Sequence, residues 1–354
     1  MMRLLANAVA RVSRGTICAA AIALAWSGPA IATPLTQPQA DGPLSTRTIE
    51  FPDLSDPARE GRRVPIKVHV PQWTGPFPVV VMSHGAGGNW DANHAQARHL
   101  ASHGYVVLAL EHVASNTDRL RRSMRFGANL KAMTRDASEV LGRPRDVAFA
   151  LDQAQKWNQS HAELKGVFDL TRVAALGHSF GAYTVLAVCG ARPALDWLEP
   201  RVEPGKGLGP DLSDARVKAC VALSPQGPGE PFFLEGSYAT INRPVLGISG
   251  SRDEQQTTTP ANRRRFFELE PVGAKVFVWL TDADHSAFSD ATGSRRTSLP
   301  SRSRADAQPI ARAATLLFLE AHLRGDAEAD ARLSERTLQP LAHGVVKRVE
   351  VLRK

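Results

Sequence analysis

Residues 172–190, RVAALGHSFGAYTVLAVCG, constrain this chain more than any other stretch. Arg172–Leu176 is a short, largely apolar run containing a β-branched residue. Gly177-His178-Ser179-Phe180-Gly181 follows at once, and Ala182–Val188 continues apolar without a helix breaker. That order predicts a strand, a sharp turn and a helix, with Ser179 at the tip of a G-x-S-x-G turn. The two glycines have a steric reason. The serine is held in a cramped backbone conformation, and a Cβ two residues to either side would collide where strand and helix converge. The five residues alone are a weak signal, and the flanking strand and helix give them weight. Ser179 is a candidate nucleophile; the bland alternative is a tight strand–helix turn with an idle serine.

The N-terminus reads as a processing signal. Arg3, Arg11 and Arg14 lead into apolar Ile17–Trp26, and Ala30-Ile31-Ala32 offers a small-residue cleavage site before Thr33. Residues 1–32 are expected to be a signal peptide, since the apolar run is too short for a membrane span. Cys18 follows Thr16-Ile17, whereas a lipoprotein signal wants a small residue just before the cysteine. The expectation is a secreted or periplasmic protein with no stable membrane anchor. With 43% hydrophobic residues the chain can bury a substantial core without help from a metal. Cys189 and Cys220 would remain after processing, either paired or as two buried thiols. No stretch has zinc-ligand spacing, so neither metal nor cofactor is expected.

Residues 33–45 are Pro-, Thr- and Ser-containing and read as a linker, 46–323 as the folded domain, and 324–354 as a polar C-terminal extension. Thr46–Phe51 predicts an edge strand, and Val64–Val70 alternates like an outer antiparallel strand. Continuous apolar runs at Phe77–Met82, Tyr105–Leu110, Val217–Leu223, Pro244–Ser249 and Lys275–Leu280 suit strands buried on both faces. Helical stretches at Ala92–His103, Arg135–Trp157, Pro260–Leu269 and Pro309–Leu323 separate them, and Asn116–Lys131 reads as a helical excursion over the sheet. The expected class is α/β: a mostly parallel central sheet with helices on both faces. The connections 191–216 and 224–243 are rich in Pro and Gly, so no large cap domain is expected.

A serine hydroxyl needs a base, an orienting acid and donors for an oxyanion. His285, just beyond Lys275–Leu280, is the candidate base. Asp253, just beyond Pro244–Ser249, is the candidate acid, with Glu254 its rival. The chain order Ser179, Asp253, His285 and the positions at strand ends agree with each other. His178 would have to point away from its neighbour's hydroxyl, His322 and His343 read as surface residues, Asp282 as a turn former, and Asp284 should diverge from adjacent His285. The backbone N–H of Phe180 is one candidate oxyanion donor. The N–H of Ala86, in the Gly-rich loop Ser83–Gly88, is the other; the alternative for that loop is a flexible turn.

The pieces VVVMSHGAGG, YVVLALEH, RPRDVAFALD, VAALGHSFGA, GSRDE and DADHSAF together resemble the α/β-hydrolase superfamily over roughly residues 46–323. Within it the chain looks like the predicted dienelactone hydrolases and platelet-activating-factor-acetylhydrolase-like esterases. The resemblance implies a Ser179–Asp253–His285 triad with Ala86 and Phe180 as oxyanion donors. True dienelactone hydrolases carry Cys at the nucleophile and this chain carries Ser, which favours esters over lactones. The implied substrate is a small-molecule or lipid-like ester. Acyl transfer, peptidase action or an idle binding protein on the same fold are the alternatives.

Smaller features read plainly. Glu111-His112 is expected to make structural hydrogen bonds at a strand end, and Arg263-Arg264-Arg265 to form a solvated helix face. Arg295, Arg296, Arg302 and Arg304 belong to a surface loop that would otherwise rim the site. Basic residues are interspersed with acidic ones, so no nucleic-acid partner is expected.

Overall fold

Continuous apolar runs decide the centre of this fold, because a strand with no polar face must be covered on both sides. The computed structural model describes residues 35–290 and 300–354. The expected signal peptide, with Arg295 and Arg296, lies outside the described residues. The strands are β1 (Thr46–Phe51), β2 (Ser55–Asp56), β3 (Arg62–Arg63), β4 (Ile66–Pro71), β5 (Phe77–Ser83), β6 (Val106–Leu110), β7 (Phe168–His178), β8 (Val217–Leu223), β9 (Val245–Arg252), β10 (Lys275–Asp284) and β11 (Val349–Arg353). Apart from the small β2–β3 ribbon they form one sheet in the order β1-β4-β6-β5-β7-β8-β9-β10-β11. Pairing is parallel from β6 through β10 and antiparallel at both sides.

The helices are α1 (His94–Ser102), α2 (Thr117–Leu120), α3 (Phe126–Arg135), α4 (Ala137–Ser160), α5 (Phe180–Val188), α6 (Pro260–Leu269), α7 (Arg304–Arg324), α8 (Ala327–Arg332) and α9 (Glu335–Leu338). They cover the two faces of the sheet. Val147, Leu151, Tyr183, Leu186 and Phe266 from α4, α5 and α6 pack on one face. Leu100, Ile310, Leu317 and Leu338 from α1, α7 and α9 pack on the other. Cys189, at the end of α5, is disulfide-bonded to Cys220 in β8.

Two expected boundaries need correction. The part of the 33–45 linker that is described is docked on α1. His99 and His103 donate from Nε2 to the carbonyls of Pro38 and Ala40 at 3.0 Å, and Gly42 N–H donates to Ser102 Oγ at 2.7 Å. Residues 324–354 are not a polar tail either. Val349–Arg353 pairs antiparallel with β10, from Val276↔Arg353 to Leu280↔Val349. The physical reason is the open backbone of β10, which would otherwise be an exposed edge beside the parallel strands. The short VEVL run among charges was enough to fill it.

One buried carboxyl at this edge has a consequence for stability. Glu270 follows α6, is 3% exposed, and neither of its carboxyl oxygens has a hydrogen-bond partner among the described residues. Burial pushes it up to about 8 against the opposing pull of Lys275 and Lys354. An unfolded Glu titrates near ~4.3, so between the two values the folded state holds the extra proton and stability declines as pH rises. Glu270→Gln is expected to raise Tm by roughly 2–4 °C at about pH 8.5 and to change it little near pH 5. Calorimetry at the two pH values checks this, and an equal shift at both would contradict it.

Candidate active site

The turn between β7 and α5 is forced by contact. Ser179 sits at φ 56° and ψ −119°, a left-handed conformation that a non-glycine residue adopts only under constraint. A Cβ on Gly177 would strike the carbonyl of Gly181, and one on Gly181 would strike the carbonyl of Ser83 at the end of β5. With no room for side chains at these two positions, the serine stands alone at the tip.

Three strand ends then meet. His285 Nε2 lies 3.0 Å from Ser179 Oγ, and its Nδ1 lies 2.8 Å from Asp253 Oδ1. Asp253 is fully buried and also accepts from Ser249 Oγ at 2.7 Å. Burial pushes its carboxyl up, but Arg263 and then His285 outweigh that and hold it well below the usual carboxylate range. An ionised acid accepting from Nδ1 keeps the imidazole in the tautomer whose Nε2 can take a proton from the hydroxyl. Asp253, not Glu254, is thus the carboxylate brought to His285; Glu254 is exposed.

The other candidates fall elsewhere. His178 donates from Nε2 to the carbonyl of His285 at 3.0 Å, fixing that residue's main chain. Burial, and then the neighbouring His285, push its ring down to about 3, so it stays neutral. Asp284 accepts from Ser301 and Ser303 Oγ at 2.6 and 2.8 Å, turned away from the ring that follows it. Asp282, at φ 74°, makes the turn and pairs with Arg252.

The Gly-rich loop is held rigidly beside the serine. Gly87 N–H donates to the carbonyl of Ser115 at 2.8 Å, and Thr117 Oγ1 donates to the carbonyls of Gly87 and Gly88. The N–H groups of Ala86 and Phe180 donate to no protein acceptor among the described residues. Both residues line the cavity that contains Ser179. Arg143 ties their supports together. It is completely buried, donates to the carbonyl of His84 at 2.8 Å, and lies 4.0 Å from the centroid of the Phe180 ring.

Behind that loop stands a second Ser–His–Asp arrangement. Ser83 Oγ is 2.9 Å from His112 Nε2, and His112 Nδ1 is 2.8 Å from Asp146 Oδ2. All three are buried, so this relay meets no substrate. Asp146 also receives Arg59 and Arg62. Burial pushes Asp146 up, and His112 and Arg62 together pull it far below the normal range. His112 thus has the structural role expected for it. Its carboxylate partner comes from α4, within the segment RPRD.

The three consecutive arginines of α6 are not alike. Arg264 and Arg265 are surface residues of α6, but Arg263 is 1% exposed, with Nε 2.8 Å from Asp253 Oδ1 and Nη2 3.1 Å from His285 Nδ1. The signal was present in the spacing. Position 263 shares the i, i+3, i+4 face with Phe266 and Phe267, which are also buried. Of the described members of the expected surface loop, Arg304 donates to the carbonyls of Ser286 and Ser289.

A cavity of about 440 Å³ opens over Ser179. The 224–243 connection contributes Gln226, Pro231 and Phe232, and the 117–135 excursion adds Leu120, Phe126 and Leu130 as an apolar wall. Nothing in the sequence of this polar, Arg-rich stretch marks which residues face inward.

A Ser–His–Asp relay at the carboxyl ends of strands in a mostly parallel sheet defines a hydrolase architecture. The Alpha/beta hydrolase family matches residues 80–352, and the chain belongs to that family. The chain is also similar to the platelet-activating factor acetylhydrolase of Cavia porcellus. The two are 29% identical over an alignment of 151 residues, with 35% of this chain and 34% of that protein covered. The chain thus aligns with about a third of the length of this curated relative.

Breaking the buried relay should act on both stability and turnover. Asp146→Ala leaves His112, Arg59 and Arg62 without their shared acceptor, and removing one partner of a buried ion pair costs about 3–5 kcal/mol. The expected result is a lower urea midpoint together with a reduced kcat, as the loop bearing Ala86 loosens. Unchanged stability would show that the network carries no weight.

Proposed function

We propose that this protein is an exported serine hydrolase of carboxylic esters, with short acyl chains favoured. The observation that carries the reading is the unbroken relay Ser179 Oγ–His285 Nε2–His285 Nδ1–Asp253 Oδ1, at 3.0 and 2.8 Å, opening on one cavity. In this reading Ser179 attacks the ester carbonyl while His285 takes its proton. The Ala86 and Phe180 N–H groups receive the developing oxyanion. His285 then gives the proton to the leaving alcohol, and a water activated by the same base releases the acid. The relative named above is, by its name, an acetylhydrolase, which supports a small acyl group. The leader-like residues 1–32 support export.

Ser179→Ala is expected to abolish labelling by a fluorophosphonate probe while the far-ultraviolet circular dichroism is retained. Asp253→Asn is expected to lower kcat by roughly 10³–10⁴-fold, and Glu254→Gln to do little. Labelling that survives in Ser179→Ala would remove the nucleophile assignment.

Acyl and alcohol portions must share the cavity of about 440 Å³. Each methylene buried adds about 0.8 kcal/mol and each one left in water adds nothing. Across p-nitrophenyl esters kcat/KM is therefore expected to peak at short chains and fall beyond roughly six carbons. A maximum at dodecanoyl would show that the apolar wall of Leu120, Phe126 and Leu130 opens into a longer channel.

A further inference from the structure

Arg263 occupies an unusual place for a buried cation. Its guanidinium touches both the acid and the base of the relay. Nε lies 2.8 Å from both the main-chain oxygen and Oδ1 of Asp253, and Nη1 donates to the carbonyls of Ser224 and Pro225 at 2.8 and 3.0 Å. Nη2 lies 3.1 Å from His285 Nδ1. Four of these contacts, with the carbonyls and the carboxylate, are those of a well-held guanidinium. The fifth is not. An Nδ1 that donates its proton to Asp253 has no lone pair to offer Nη2, so in the working tautomer this contact is charge facing a ring N–H.

We infer that Arg263 is a positioning residue that fixes Asp253 and makes the working tautomer of His285 depend on that carboxylate. The inference rests on the relay proposed above. Arg263 holds the Asp253 carboxylate through Nε and places Nη2 beside the ring nitrogen that this carboxylate engages. Arg263 also makes the tautomer depend on Asp253. If the carboxylate is lost, Nη2 has a free hand to donate to Nδ1, which would leave the ring proton on Nε2, facing the hydroxyl.

The other charged and titratable groups around His285 do not duplicate this effect. His178, from the end of β7, is neutral and engaged with the His285 carbonyl. Asp284, on the same turn as His285, accepts from Ser301, Ser303 and the N–H of Ser286. Arg304, from α7, is held by the carbonyls of Ser286 and Ser289. Arg252 and Asp282, from β9 and β10, pair with each other at 2.9 Å.

The test is the rate of fluorophosphonate labelling at Ser179 and kcat/KM for p-nitrophenyl butyrate, with rates normalised to folded protein. Wild type, Arg263→Lys, Asp253→Asn and Asp253→Asn/Arg263→Lys are compared, and Asp253→Asn/Arg263→Met replaces the last where it does not fold. Arg263→Lys alone is expected to lower the rate, because Asp253 loses part of its support. A packing residue would lower the rate in both backgrounds; a positioning residue lowers it beside Asp253 and raises it beside Asn. The shorter, differently aimed ammonium is expected to relieve the wrong tautomer and recover several-fold of the lost rate, and no recovery would overturn the inference. Failure of wild type to label at Ser179 is a different result, because it removes the relay itself.

Discussion

Close approach of three backbones at the end of β5, the end of β7 and the start of α5 is the constraint on which this structure depends. The carbonyl of Ser83 occupies the space that a Cβ on Gly181 would need, and the carbonyl of Gly181 occupies the space at Gly177. This contact sets the angle at which α5 leaves the sheet and holds Ser179 at a positive φ. It also brings the loop carrying Ala86 against the serine, because Ser83 is the residue from which that loop departs. One steric contact therefore locates the hydroxyl and both candidate oxyanion donors together. The conformational cost, of order 1–3 kcal/mol for such a backbone, is offset by packing of the wholly buried α5 between β7, β8 and α4.

The same fold contains two Ser–His–Asp relays with nearly equal distances, and only their surroundings separate them. Ser83, His112 and Asp146 are sealed beneath the loop, and Asp146 pairs with Arg59 and Arg62. That relay satisfies buried polar groups and holds a loop in place. Ser179 and His285 line a cavity that Arg263 also reaches, with Asp253 buried behind them. A hydrogen-bond pattern alone does not make a catalytic site. Access to a substrate does, and access is a property of the elements above the sheet.

Much of this was legible in the primary structure. The apolar runs at β5, β6, β8, β9 and β10 could not be anything but buried strands, and Pro260–Leu269 has the bounds of α6 that its Thr259 cap and Pro260 imply. Ser179, Asp253 and His285 could be ranked because the fold is known to build sites at strand ends. Less legible were residues whose role depends on partners far along the chain. Asp146 is 34 residues from His112, and Arg263 is 22 from His285. In sequence, Arg263 is indistinguishable by residue type from its neighbours Arg264 and Arg265, which do face solvent.

The sequence by itself determined the elbow, the order of its three candidate site residues and the class of the sheet, because these follow from local sterics and periodicity. Only the tertiary structure decided that Asp253 rather than Glu254 meets His285, and that Arg263 touches both. It also decided that Val349–Arg353 completes the sheet and that Leu120, Phe126 and Leu130 wall the cavity. Each of those depends on which segments the closing sheet and its covering helices bring side by side. A side chain's burial and its charged partners are set at that step, across separations that no local pattern encodes.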